Sequence, residues 1–119
     1  MIIKNDIIKK FEGCLSENVK LSNFSWFNLG GNAEYFFKAK NKDQLIAFLK
    51  ETKIIKPKIT LLGAGSNTLI RDKGVKGLVL KLGKEFSFIK KIGEDILEVG
   101  AATLDRKVAN FAMKNNLKN

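Results

Sequence analysis

The chain has no histidine, one cysteine and one proline in 119 residues. Without histidine there is no imidazole to act as base, nucleophile partner or metal ligand. Cys14 alone forms no internal disulfide, which fits a reducing cytoplasm. One thiol and scattered carboxylates also give no metal-ligand spacing. Long apolar runs are missing too. Lysines and Asp6 interrupt "MIIKNDIIKKFEG", so neither a signal-peptide core nor a membrane span is expected. Arginine is scarce: only Arg71 and Arg106 stand among 22 basic residues, and lysine carries the formal charge of +10. The lysines are spread along the chain, within a composition rich in isoleucine and asparagine. Aromatics fall mainly at apolar periodic positions instead of interleaving with a basic stripe, so the charge does not mark a nucleic-acid surface. A basic surface still draws in anionic small molecules. An apolar fraction of 45% supports one packed domain and not a disordered chain.

Ile3, Ile7, Ile8, Phe11 and Leu15 recur at near-helical spacing and predict a helix over residues 2–14, ending at Gly13. Residues 21–33, "LSNFSWFNLGGNA", have no clean period and read as an ordered aromatic loop. "EYFFKAK" follows as a strand over 34–38. Asn41 and Gln44 resemble an N-cap with its partner at the third helical residue, starting a helix over 42–53. Pro57 fits a loop, and "KITLLG" predicts a strand over 59–63. Strand, helix and strand in about thirty residues make a βαβ unit, so the strands at Tyr35 and Leu61 should be parallel. "TLIRD", "GLVLKLG", "FSFIKKIG" and "ILEVGA" then read as an antiparallel meander. Thr103 can cap a last helix whose apolar face is Leu104, Val108, Phe111, Ala112 and Leu117. The fold class is α+β.

The chemistry sits in "GAGSN". A turn with glycines at Gly63 and Gly65 permits φ > 0 and a close approach to bare backbone amides, and Ser66 and Asn67 add side-chain donors. A dinucleotide fingerprint would need glycine where Thr68 stands, with a helix after it. A mononucleotide loop would need Gly-Lys-Ser/Thr. Neither pattern is present. By itself the turn is equally compatible with a purely structural role.

Three segments, in this order and spacing, change that balance: "FSWFNLGGNAE", "LGAGSNTLIRDKGVKGLVLKL" and "LEVGAAT". Together they resemble the N-terminal flavin-binding part of the UDP-N-acetylenolpyruvoylglucosamine reductase (UDP-N-acetylmuramate dehydrogenase) family. Those flavoproteins have an FAD domain of the vanillyl-alcohol oxidase and p-cresol methylhydroxylase (PCMH) type. The resemblance implies an N-terminal helix over 1–19 and a PCMH-type FAD domain over 20–119, truncated on its C-terminal side. It places Gly63, Ala64, Gly65, Ser66, Asn67 and Thr68 on the FAD diphosphate, and residues 99–102 near the flavin. Trp26 and Asn28 stand where the family more often has Thr and Arg. Trp26 and Phe27 read either as core residues covering the sheet or as neighbours of the cofactor.

The resemblance further implies an oxidoreductase of peptidoglycan synthesis, hence of cell-wall biogenesis, cell shape and cell division, in the cytoplasm. FAD is its cofactor, NADPH its co-substrate, and a UDP-sugar enolpyruvate its substrate; nucleic acid and membrane play no part. The family's serine acid, glutamate and arginine match no residue here, so the 119 residues alone are expected to be inactive. A non-catalytic flavin- or nucleotide-binding module that needs another chain is the alternative.

Overall fold

The computed structural model describes residues 2–117. Helix α1 (Asn5–Lys10) leads into strand β1 (Leu15–Lys20) and a 3-10 turn (Leu21–Phe24). Strand β2 (Asn32–Ala39), helix α2 (Lys42–Thr52) and strand β3 (Ile59–Leu62) follow. Strand β4 (Val75–Leu82), the short strands β5 (Ile89–Lys91) and β6 (Leu97–Val99), and helix α3 (Asp105–Lys114) complete the order. Four strands form one sheet in the order β1-β2-β4-β3, and β5 pairs with β6 in a second.

The βαβ unit is present: β2 and β3 both run parallel to β4. They are not neighbours, because β4 lies between them. The meander is therefore corrected in its first half. "GLVLKL" is a parallel central strand, and "TLIRD" joins no sheet. Residues 63–74 make this possible. A parallel connection must return along the whole strand, which takes about a dozen residues, and this stretch supplies that return without a helix. The second half of the meander stands as an antiparallel hairpin, β5–β6.

The expected helix over 2–14 is confined to Asn5–Lys10, and part of the segment assigned to an N-terminal helix is strand β1, antiparallel to β2. Gly13, at φ +83, separates the two. In β1 only Leu15 is buried, and the exposed Ser16, Glu17, Asn18 and Lys20 give the outer strand a polar edge, as edges exposed to water require.

Alternation along β2 and β4 divides the core. Tyr35, Phe37, Leu78 and Leu80 face α1 and α2 and pack with Ile3, Ile7, Phe11 and Phe48. On the other face Phe36 and Val79 pack with Leu21, Leu62 and Ile70. That second face is covered by the 3-10 turn and the return segment 63–74. The glycine loop is thus part of the layer that closes the core. Asn41 caps α2 as expected: its Oδ1 accepts from the Gln44 amide at 2.8 Å, and Gln44 Oε1 accepts from the Lys40 amide at 2.7 Å. At the other end of the chain, α3 buries no residue. Thr103 does not cap it. Its hydroxyl bonds both backbone groups of Phe88 at 3.1 Å, and the cap position falls to Leu104.

Candidate functional site

Residues 63–68 leave the C-terminal end of β3. Three of their carbonyls are tied to the body of the protein. The Gly65 carbonyl accepts from the Trp26 amide at 3.1 Å, the Thr68 carbonyl from Ser25 Oγ at 3.0 Å, and the Gly63 carbonyl from the Lys81 ammonium. Their amides are not. Among the described residues, nothing accepts from the backbone N–H groups of Ala64, Gly65, Ser66 or Asn67. Gly65 sits at φ +77 and residues 66 and 67 form a turn. Consecutive free amides around a left-handed residue make a concave donor site for an anion. Carbonyls anchored inward and amides left free are what such a site needs.

The two glycines of the loop have different reasons. A Cβ on Gly65 would lie 1.9 Å from the Phe24 carbonyl oxygen, so that glycine exists to let two backbones touch. A Cβ on Gly63 would meet nothing within 4 Å. No packing within the described chain demands glycine at 63.

A cleft of about 700 Å³ opens beside the loop. Gly63, Ala64 and Ser66 form one wall, Lys81 and the ends of β3 and β4 the floor, and residues 101–106 the opposite wall. Trp26 stands at its edge and is 73% exposed. The reading of Trp26 and Phe27 as core is corrected: their side chains project outward, Phe27 being 52% exposed, while Ser25 turns inward to hold Thr68. The first turn of α3 borders the cleft and adds the positive end of a helix dipole. Binding outside the carboxyl ends of parallel strands is the usual arrangement in α/β sheets.

Of the six residues assigned to the diphosphate, Gly63, Ala64 and Ser66 line the cleft directly. Gly65 is buried beneath them, and Asn67 and Thr68 lie beyond the lining. Ala101 and Ala102, from the segment expected near the flavin, line the same cleft. Sequence reasoning missed Lys81, because it lies inside an apolar strand run and only the sheet register brings it to the loop. Burial holds its ammonium below the usual lysine range, and the nearby Lys38 charge lowers it further.

A larger groove, about 910 Å³, lies at the N-terminal ends of the parallel strands, beside Asn18, Asp72 and Lys76. Its glycine amides are already used. Those of Gly31 and Gly74 donate to the Arg71 carbonyl at 2.9 Å, and that of Gly77 to Glu34 Oε2 at 2.7 Å. The glycines of "GGNAE" and "RDKGVKG" thus join the β2 and β4 starts to the return segment. The groove is bigger, and the amides of Asp72 and Lys73 that line it also have no acceptor among the described residues, two in a row against the four at residues 64–67.

No family model matches the chain. Among curated relatives, UDP-N-acetylenolpyruvoylglucosamine reductase from Orientia tsutsugamushi (strain Boryong) is 42% identical over 113 residues. That match takes in 92% of this chain and 37% of the relative. The protein of the same name from Phenylobacterium zucineum is 44% identical over 109 residues, covering 92% and 36%. The crystal structure of UDP-N-acetylenolpyruvylglucosamine reductase from Thermus caldophilus superposes with a TM-score of 0.62 at 26% identity, over 87% of this chain and 35% of that one. The chain therefore spans little more than a third of the length of the relatives it matches. In sequence and in fold, over nearly all of its own residues, it belongs to the UDP-N-acetylenolpyruvoylglucosamine reductase family.

Proposed function

We propose that this chain is the FAD diphosphate seat of a UDP-N-acetylmuramate dehydrogenase, with residues 20–119 as its PCMH-type flavin-binding unit. The observation that carries the reading is the run of unengaged amides over residues 64–67, beside a glycine at 63 that the chain's own packing does not require. Those amides hold the diphosphate, Ser66 and Asn67 adding their side-chain donors and Thr68 closing the turn. The Gly65 and Thr68 carbonyls, anchored to Trp26 and Ser25, keep the amides in place before ligand arrives. Such preorganisation spares the loop an ordering cost on binding.

In the whole enzyme the bound flavin supplies hydride chemistry between NADPH and the enolpyruvyl group of a UDP-sugar, in cytoplasmic peptidoglycan synthesis. This chain binds and orients the cofactor and carries none of the groups that protonate substrate. By itself it should bind FAD weakly, because an unfinished sheet leaves an edge exposed, and should not reduce the UDP-sugar.

Gly63→Ala tests the seat. The added methyl group fits the fold, so the melting temperature should stay within about 2 °C of the parent. It intrudes where the diphosphate passes the backbone, so FAD affinity in equilibrium dialysis should fall about tenfold or more. Unchanged FAD affinity in a folded Gly63→Ala protein would remove the loop from the binding site.

A further inference from the structure

We propose that Lys81, with Lys38 beside it, is the counter-charge of the cleft, a lysine pair that destabilises the ligand-free sheet and selects a diphosphate. The two residues are register partners on the adjacent strands β2 and β4. They share a face of the sheet, because each follows a residue, Phe37 or Leu80, that points into the opposite core. Like charges directly across two strands are unfavourable. Among the described residues no carboxylate pairs with either lysine. Lys81 is nonetheless held at the cleft, where its ammonium donates to the Gly63 carbonyl and keeps two further N–H donors.

Lys81 is set against the carbonyl at the start of the loop, and Lys38, its register partner on β2, adds a second positive charge behind it. An anion bound there relieves their repulsion and takes charge-assisted hydrogen bonds from Lys81. That the anion belongs to FAD rests on the flavin reading. The lysine role requires only a diphosphate.

The test compares Lys81→Met and Lys81→Arg with the parent protein. It reads melting temperature without ligand and calorimetric affinities for FAD and for ADP. Lys81→Met should melt at the parent temperature or above it, and should bind both ligands about tenfold or more weakly. Lys81→Arg should retain both affinities. Lys81→Met binding both ligands as tightly as the parent overturns the proposal, and so does a clear drop in its ligand-free melting temperature. A parent protein that binds ADP but not FAD, and loses ADP on Lys81→Met, supports the lysine role and overturns the flavin reading. A parent that binds neither overturns both.

Discussion

Gly65→Val should remove a large part of the stability of the chain and, with it, the flavin binding proposed for the loop. A Cβ at this position would stand 1.9 Å from the Phe24 carbonyl oxygen and 3.3 Å from the Ser25 Cα. Neither neighbour is a flexible side chain that could swing aside. The residue is also fixed at φ +77, which a β-branched side chain tolerates poorly. Overlap and backbone strain together should cost about 3 kcal/mol or more, against a total of roughly 5–15 kcal/mol for a domain. The sequence suggests that valine would act by blocking the diphosphate. The geometry gives a different cause: the side chain would push against the 3-10 turn, detach the loop from Trp26 and scatter the amides. A urea midpoint and a flavin titration should therefore fall together. Near-parental stability with FAD binding abolished would show that the Phe24 contact yields and that the ligand itself is being excluded.

Phe37→Ala should destabilise the protein by about 3–5 kcal/mol, the usual range for emptying an aromatic core position. Phe37 and Phe48 are fully buried, and their rings stack with centroids 3.8 Å apart and an interplanar angle of 9°. Phe11 meets both edge-on at 5.8 and 5.2 Å. One residue thereby joins β2 to α1 and α2. The cavity would leave both helices without their shared contact, and the sheet face they cover would take up water. The urea midpoint checks this. A shift equivalent to less than about 1 kcal/mol would mean that the helices pack on the sheet independently of Phe37.

Local signals in the sequence translated into structure well. Asn41 with Gln44, the glycine-bounded β3 and the pairing of "FSFIKKIG" with "ILEVGA" each depend on residues a few positions apart, and each formed. What needed distant partners did not show. β1 was hidden because its outer residues are polar and Leu15 extends the helical spacing of Ile7 and Phe11. The placement of β4 between β2 and β3 depends on the path of residues 63–74 across the sheet, which no local period encodes. The free-amide loop was legible as "GAGSN", since its glycines and polar residues interrupt apolar strands. Two parts of the same cleft were not. Lys81 looks like any lysine in a strand until register sets it beside Gly63 and Lys38. Trp26 looks like core until the inward turn of Ser25 sends its ring outward.

The most direct test is an amide NMR titration of the 15N-labelled protein with FAD. If the diphosphate lies on bare backbone, the N–H resonances of Ala64, Gly65, Ser66 and Asn67 shift together and saturate with the flavin absorbance, and Gly63→Ala reduces the effect. Unmoved resonances at 64–67, with shifts instead at Asn18, Asp72 and Lys76 around the larger groove, would contradict the site.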